Sequence, residues 1–411
     1  MKTRKILVPS YMQQFKCIGS ACEDSCCTGW RVDIDQEAYK KYTAIRDKEL
    51  RPIIEKNVKK YNSNRSDEHY AKIKMSPNQH CVFLSAEKMC KLQLKYGEPY
   101  LSNTCAIYPR QINEVGSGVE KSATMSCPEA ARLALLNPEG IEFLEIEEPV
   151  EVRYRPNRIF HAENMPFTKK AQQYFWEIRI FIIQLLKYRD ISLNDRLILL
   201  GSFCHKLQEH INNKTIDSIP SLFDYYIHWL EDDASRVSLD SMPANYGIQM
   251  QLIKEILDER LGLGVNNQRY IECVNEMMKG LKYIHGSNIE DIINQYALAY
   301  EKYYKPFMEN YEYIMENYIV NYVFKRLFPF EDSLSVFESY VLLVVHYSLI
   351  KLHLIGMSSY HNGLTTELVI KLIQSFAKTV EHNPQYLKSV INLLKQNNVT
   401  NLAYMVILIK N

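Results

Sequence analysis

The sequence is poor in glycine and contains no glycine-rich nucleotide-binding motif. It has 14 glycines in 411 residues, roughly half the usual share of about 7%. Neither GxGxxG nor GxxxxGK[ST] occurs, so the phosphate-cradling loops of dinucleotide-binding and P-loop proteins are missing. We therefore expect no Rossmann-type sheet.

Strong charge of one sign and long apolar runs are also missing. Lys and Arg number 49 and Asp and Glu 48, a net charge of +1, which argues against a strongly basic nucleic-acid binder. Pro9 and two glutamines interrupt the apolar N-terminus, which leaves it too short for a signal peptide. The apolar run at Val341–Val345 is followed by His346 and Lys351, short of the ~18 residues that span a membrane. We expect a cytoplasmic protein that binds neither nucleic acid nor membrane.

Cysteine is concentrated in the N-terminal third. Of ten cysteines only Cys204 and Cys273 lie beyond residue 127. In a reducing compartment such a cluster is more often metal-binding or catalytic than disulfide-bonded. Four disulfides, with 105 connectivities, are the alternative, as are buried thiols packed as small hydrophobic groups. The eight candidate metal ligands are Cys17, Cys22, Cys26, Cys27, Cys81, Cys90, Cys105 and Cys127.

The spacing of these cysteines favours an iron–sulfur cluster over zinc. No CxxC knuckle of the kind that chelates one zinc ion occurs. The CxxxCxxC pattern of radical S-adenosylmethionine enzymes also fails, because Gly29 stands where the third cysteine would be. Thiolates from several loops suit a polynuclear centre, and Cys22, Cys26 and Cys27 rank first because they share one loop. His80 is an alternative ligand, although we expect a solvated loop histidine.

Three segments are predicted: a cysteine-rich metal-cluster domain over 1–135, an acidic extended linker or short edge strand over 136–165, and an α-helical domain over 166–411. Six glutamates fall within 139–151. They favour a solvated, charge-blunted sheet edge, and the alternative is an acidic track for a lysine-bearing partner. The predicted fold is mainly α: a small cysteine-rich metal-binding domain, then an irregular α-helical domain.

The helical prediction for 166–411 depends on apolar periodicity and on capping residues. Apolar residues recur at helical spacing from Tyr174 to Leu185. Ser192 and Asp195 resemble a capping box, and Asn383 before Pro384 combines an N-cap with a proline at the first helical position. The chain has 29 tyrosines, and this domain would supply aromatic walls for a binding pocket.

The cysteine motifs resemble those of the flagellin lysine-N-methylase family. The CC pair, CxFL and YPR elements are also similar to the broader cysteine-rich zinc/iron-chelating proteins. The resemblance covers most of the chain, and its cysteine part is the more specific. The matching residues are Phe15-Lys16-Cys17, Cys22 to Cys27 with Trp30, Asp33 and Asp35, Cys81-Val-Phe-Leu84, Cys90-Lys-Leu-Gln93, Thr104-Cys105 to Arg110, Ser126 to Ala130, Tyr303 to Pro306, Glu316-Asn-Tyr318 and Phe328-Pro-Phe330.

The resemblance implies a methyltransferase with S-adenosylmethionine as donor, surface lysines of flagellin as acceptors and a [4Fe-4S] cluster in the cysteine-rich domain. One such cluster needs four thiolates. The four others imply a second metal, a redox pair or structural thiols. Tyr108 and Arg110 follow Cys105 and are candidate donor-binding residues, because Arg110 can hold a carboxylate bidentately. The alternative is a structural Arg110 paired with a glutamate of 139–151, and Trp30 is expected in the core.

Polar transfer with an architectural cluster is the expected mechanism, because a neutral lysine amine is already a nucleophile. An ammonium, with a free pKa near 10.4, has no lone pair, and an apolar pocket lowers that pKa by desolvation. Two other classes stay open: a non-enzymatic iron- or zinc-binding adaptor or sensor, and a cluster-dependent redox enzyme. Binding of the methyl donor distinguishes the methyltransferase from both of these classes.

Overall fold

A computed structural model describes residues 2–150, 152–160, 167–232, 244–283, 288–331 and 334–410, with the backbone alone for 167–170. The described chain divides into two compact units. The N-terminal unit comprises 1–114, 118–130 and 143–159, and the helical unit comprises 115–117, 131–142 and 160–411. The units thus interleave along the chain, and the boundary predicted at 165/166 lies outside the described residues.

The N-terminal unit contains two sheets, of which the sequence had indicated only a possible edge strand in the acidic segment. A five-stranded sheet has the order β7-β1-β6-β5-β8, and a three-stranded antiparallel sheet has the order β2-β4-β3. The five-stranded sheet is mixed, because β1 pairs parallel with β6 and antiparallel with β7. The strands are β1 (Thr3–Pro9), β2 (Asp33–Ile34), β3 (Val58–Lys60), β4 (Ala71–Ile73), β5 (Arg110–Val115), β6 (Gly118–Ala123), β7 (Phe143–Pro149) and β8 (Arg158–Phe160).

The acidic segment forms β7 at one edge of the five-stranded sheet. Ile6 of β1 lies opposite Ile146, which fixes the register. Between these two strands, Lys5 Nζ lies 2.7 Å from a carboxylate oxygen of Glu145, and Arg4 pairs with Glu148 at 2.7 Å. Glu148 also pairs with Lys121 of β6. The carboxylates of this strand thus face basic side chains of this chain, which favours the charge-blunted edge over a track for an external lysine.

Short helices complete the N-terminal unit, and several of them pack on one apolar core. Ile34, Leu50, Ala71 and Phe83 are all at most 1% exposed in that core. The segments that carry Cys27, Cys81, Cys90 and Cys105 pack on the same core. The helices that begin in this part of the chain are Tyr11–Gln14, Gln36–Ala44, Leu50–Asn57, Lys91–Tyr96, Asn103–Ile107 and Pro128–Leu135, with 3-10 turns at Gly19–Ala21 and Glu98–Tyr100.

The helical unit surrounds one long buried helix, Val336–His361. Length and composition alone would let this helix cross a membrane, but its most apolar window is entirely buried inside the protein, as in a core helix. His346 and Lys351 do not end the helix and are buried within it. Around it lie Phe175–Leu186, Leu193–Asn213, Ile219–Glu231, Tyr246–Gly262, Gln268–Gly280, Ile289–Ala299, Lys305–Arg326, Thr366–Phe376, Pro384–Gln396 and Leu402–Ile409, with π-helical turns at Tyr300–Tyr304 and Ala377–Glu381.

The mainly α prediction is therefore confirmed, together with its capping residues. Ser192 Oγ accepts a hydrogen bond from the amide of Asp195 at 3.2 Å, and Asn383 Oδ1 accepts one from Tyr386 at 3.0 Å. These caps satisfy amides that have no partner within their own helix.

Two of the scarce glycines allow the central helix to pack closely. A Cβ on Gly280 would lie 1.9 Å from the carbonyl oxygen of Gly356, and a Cβ on Gly356 would lie 2.6 Å from Cγ of Met277. The backbones of helices Gln268–Gly280 and Val336–His361 thus meet where no side chain fits.

Candidate functional site

All eight N-terminal cysteines line one cavity of about 340 Å³ in the N-terminal unit. Its wall also carries aromatic and basic groups, among them Phe15, Trp30, Tyr108 and Arg110. The structure holds the ten cysteines of the chain as thiols, and Cys204 and Cys273 are buried in the helical unit. Residues spread over 110 positions of sequence thus converge on one space.

Four of the thiols belong to the apolar core of the N-terminal unit, and we call them the inner set: Cys27, Cys81, Cys90 and Cys105. Cys81 is buried within that core, and the other three pack against it half-buried. The amide of Cys81 donates to the carbonyl oxygen of Cys27 at 2.7 Å. A backbone bridge joins Leu84 to Cys90. Backbone contacts therefore link the segments that carry Cys27, Cys81 and Cys90.

Cys105 is positioned by capping residues. It lies on helix Asn103–Ile107, whose N-cap Ser102 accepts a hydrogen bond from the Cys105 amide at 3.4 Å. Asp35, the N-cap of Gln36–Ala44, accepts from Ala38 at 2.9 Å with one carboxylate oxygen and from Asn103 at 2.8 Å with the other. One buried carboxylate thus fixes both helix starts and, through them, the place of Cys105.

The other four thiols lie outside that core, and we call them the outer set: Cys17, Cys22, Cys26 and Cys127. Cys17 and Cys26 are exposed, and Cys22 and Cys127 are half-buried. The Cys22 thiol donates to the carbonyl oxygen of Asp24 at 3.3 Å. Cys127 precedes helix Pro128–Leu135, and its amide donates to Thr124 at 3.4 Å. The outer set therefore includes both exposed thiols of the cavity wall, Cys17 and Cys26.

Burial in the cavity opposes ionisation of the thiols. It raises the pKa of Cys81 to about 11 and those of Cys105 and Cys127 to about 12, and neighbouring thiols add to each rise. Burial likewise raises the pKa of Cys22 and Cys90. Because metal ligands are thiolates, a cation would have to offset this cost, as metal ions do when they release protons from their ligands.

The thiols line the cavity without forming a preassembled metal site. Within the described ranges, no three His, Cys, Asp or Glu side chains converge as ligands of one metal ion. The cavity therefore offers thiol ligands from several loops, and the predicted preference for an iron–sulfur cluster over zinc stays a prediction. His80 is exposed, as expected of a solvated loop histidine, and is not among the lining residues.

Tyr108 and Arg110 both lie on the cavity wall. The Tyr108 hydroxyl is 3.2 Å from Ser126 Oγ, and its ring lies 5.5 Å from that of Trp30. Trp30 packs half-buried against the core as well as lining the cavity. Phe15, which the sequence had offered only as part of a motif, lies 5.4 Å from the Arg110 guanidinium.

Arg110 also faces a second, more open cleft of about 880 Å³. In the described part of the chain its guanidinium has no carboxylate within ion-pair distance. None of the described glutamates of 139–150 pairs with Arg110, and Glu148 pairs with Arg4 and Lys121. Glu151 lies outside the described residues, so the predicted pairing of Arg110 with a glutamate of 139–151 stays a prediction.

In the helical unit, tyrosines surround a lysine of the chain itself. Lys351 Nζ lies 5.7 Å and 5.6 Å from the ring centroids of Tyr300 and Tyr347 and donates to the carbonyl oxygen of Ile409 at 2.9 Å. Burial lowers its pKa to about 7. These two rings pack against an internal lysine, and the predicted aromatic walls of a binding pocket stay a prediction.

Comparison with known proteins shows the family of this chain. The FliB lysine N-methylase C-terminal domain family matches residues 179–408. The chain is 23% identical to a lysine-N-methylase of Salmonella choleraesuis (strain SC-B67) and 22% identical to one of Salmonella typhimurium (strain LT2), each over 398 residues covering 95% of both proteins. It is 33% identical over 142 residues to the flagellar biosynthetic protein FliU of Salmonella muenchen, which covers 34% of this chain and 83% of that protein. No solved structure matches.

The chain belongs to the FliB lysine N-methylase family. This membership supports a methyltransferase role.

Proposed function

We propose that this chain is a cytoplasmic protein lysine N-methyltransferase that transfers methyl groups from S-adenosylmethionine to surface lysines of flagellin and holds a [4Fe-4S] cluster in the cysteine-lined cavity. The observation that carries the proposal is the similarity to lysine-N-methylases over 95% of the chain. The flagellar name of the third relative supports flagellin as the acceptor.

Arg110 is the proposed anchor of the methyl donor. S-adenosylmethionine carries a carboxylate, and a guanidinium without a carboxylate partner can take it bidentately. The cleft beside Arg110 is also lined by Lys41, Lys121 and Arg153. Lys121 forms an ion pair with Glu148, and Lys41 forms one with Glu37. Arg153 donates to the carbonyl oxygen of Leu101 at 2.7 Å. Arg110 is therefore the better placed cation for a ligand carboxylate.

The proposed transfer is a polar displacement. The neutral ε-amine of the acceptor lysine forms a bond to the methyl carbon while the carbon–sulfur bond of the donor breaks. The sulfur keeps that electron pair and becomes a neutral thioether, and the methylated nitrogen then releases one proton. Since only the neutral amine has a lone pair, the protein must bind the acceptor lysine where desolvation lowers its pKa.

The cysteines fit the cluster, and its proposed role is architectural. When bound, a cluster cross-links loops that are far apart in sequence, and metal binding of this kind contributes directly to folding. The cavity-lining thiols Cys22, Cys26 and Cys27 lie on the loop favoured by sequence spacing. Other thiols of the wall supply the remaining positions.

The test uses the full chain purified without oxygen, purified flagellin and methyl-labelled S-adenosylmethionine. We expect label on flagellin lysines and none on flagellin whose lysines have been blocked by acetylation. A chain that holds its metal yet transfers no label contradicts the proposal. Metal content without donor binding would instead indicate the adaptor or sensor.

A further inference from the structure

Another cleft of the N-terminal unit is lined by lysines, and the proposed function makes no use of it. It has a volume of about 550 Å³ and lies beside strands β3 and β4. None of the described residues that line it is Asp or Glu, and its cations are Arg31, Lys59, Lys72 and Lys74. We call it the basic cleft.

The lysines of the basic cleft have no anionic partner in the part of the chain that the structure describes. Lys59 Nζ donates to the carbonyl oxygen of Glu55 at 2.9 Å, and Lys72 Nζ lies 5.4 Å from the centre of the Tyr61 ring. Among the described residues, no carboxylate lies within ion-pair distance of either lysine or of Lys74. The cleft therefore presents three unneutralised ammonium groups.

Strand pairing places two of these lysines directly opposite each other. Lys59 of β3 is the cross-strand partner of Lys72 of β4, and both side chains are exposed. On its other side Lys72 lies opposite Asp33 of β2, whose carboxylate is bound by Arg31 at 3.1 Å and by the Tyr61 hydroxyl at 2.6 Å. Like charges directly opposite each other destabilise a sheet. The lysine pair therefore costs the fold stability, and a bound anion would offset that cost.

The basic cleft shares a wall with the cysteine-lined cavity. Trp30 and Ile73 line both spaces, and Arg110, the proposed donor anchor, also lies on the cavity wall. The sulfonium of the methyl donor and the ammonium of an acceptor lysine are both cations, which the lysines of the cleft repel. The cleft therefore suits acidic residues near an acceptor lysine and not the two reacting groups.

We propose that the basic cleft binds an acidic segment of the protein acceptor, with Lys59, Lys72 and Lys74 pairing with its carboxylates. This inference rests on the proposed function and adds the recognition of the acceptor to it. Complementary charges of this kind speed encounter and discriminate between partners. A nucleic acid carries the same sign of charge, but the basic set is small and the whole chain has a net charge of only +1, which favours a protein partner.

The test measures binding by fluorescence polarisation on the full chain without methyl donor, using labelled oligoglutamate and labelled flagellin as probes. Lys72→Gln with Lys74→Gln removes two charges from the cleft, and we expect the Kd for both probes to rise roughly 2–30-fold, as for the loss of two exposed ion pairs. Lys48→Gln with Lys56→Gln is the matched control. It removes the same charge from two exposed positions of the same unit that do not line the cleft, and it should leave both Kd values unchanged.

Two results would overturn the proposal. One is an unchanged affinity of the cleft variant for flagellin, even if oligoglutamate binds it less well. The other is a single-stranded oligonucleotide of the same net charge that binds the wild-type chain more tightly than oligoglutamate does and loses this affinity in the cleft variant. That result would identify a nucleic acid as the partner.

A charge reversal separates binding from folding. Lys72→Glu places a carboxylate opposite Lys59, so we expect an unchanged or higher melting temperature together with weaker binding of both probes. Weaker binding that appears only with a lower melting temperature would show a structural role for Lys72 and overturn the inference.

Binding to the cleft does not depend on methyl transfer. A chain that binds both probes through the cleft yet methylates nothing contradicts the proposed function alone. A chain that methylates flagellin and binds it equally well without the cleft lysines contradicts this inference alone.

Discussion

The carboxylate of Asp35 accepts a hydrogen bond from the backbone amide of Asn103, 68 residues away, at 2.8 Å. Its other oxygen caps its own helix through Ala38. Asp35 therefore connects the end of β2 and the start of helix Gln36–Ala44 to the helix that carries Cys105.

Replacing Asp35 should destabilise the N-terminal unit. Asp35→Ala removes an N-cap and a second charge-assisted bond, and we expect a loss of about 2–3 kcal/mol in urea unfolding. Asp35→Asn keeps one acceptor oxygen and should lose less. Asp67→Ala, at an exposed position on the same unit, is the control. Equal stability of Asp35→Ala and the control would refute the double role.

The glycine contact between two helices should tolerate no side chain. Gly280→Ala places a methyl group 1.9 Å from the Gly356 carbonyl oxygen, and we expect a loss of at least the ~1–3 kcal/mol typical of overpacking. Gly262→Ala, where nothing lies within 4 Å, is the matched control and should be neutral or stabilising by up to ~1 kcal/mol. Thermal unfolding of both variants measures the difference, and similar melting temperatures would contradict the close approach.

Lys351 should make stability depend on pH above neutrality. Burial lowers its pKa from 10.5 to about 7 in the folded chain. The Glu312 carboxylate raises this pKa, and the Lys410 ammonium lowers it. Between those values the unfolded chain binds more protons, so the free energy of unfolding should rise as pH increases from about 7 to about 10.5. Below pH 7 Lys351 is protonated in both the folded and the unfolded chain, so it no longer makes stability depend on pH.

Lys351→Met should flatten that dependence. Denaturant unfolding at several pH values from 7 to 10 compares it with the wild type. Lys254→Met, at an exposed i,i+4 pair with Asp258, is the control and should keep the wild-type slope. An unchanged slope in Lys351→Met would show that another group titrates.

Replacing Arg110 should weaken binding of the methyl donor more than it destabilises the fold. Arg110→Met removes the proposed carboxylate anchor, and a charge-assisted hydrogen bond of ~1.5–3 kcal/mol corresponds to a rise of roughly 10–100-fold in the KM for S-adenosylmethionine. Arg110→Lys should recover part of the affinity. Arg51→Met, which breaks only a surface pair with Glu55, should leave the KM unchanged. Equal KM values for Arg110→Met and wild type would place the donor elsewhere.

The sequence predicted the helical unit better than the N-terminal one. Periodic apolar residues and the caps at Ser192 and Asn383 are local signals, and the structure has both caps. The strands of the N-terminal unit are short, several of them two or three residues long, and too short for a periodicity signal. Parallel pairing of β1 with β6 joins residues more than a hundred positions apart, which no local pattern encodes.

The cysteine count, the missing CxxC and the family motifs follow from sequence alone, because residue types and spacing carry them. The sequence alone does not show which thiols pack on the same core. Cys27 and Cys26 are neighbours in sequence, yet only Cys27 packs on the core that also takes Cys105. Likewise, strand register decided the partner of Glu148, because it placed Arg4 opposite that residue. Tertiary packing made these choices, because apolar burial and strand pairing act between residues that are distant in the chain.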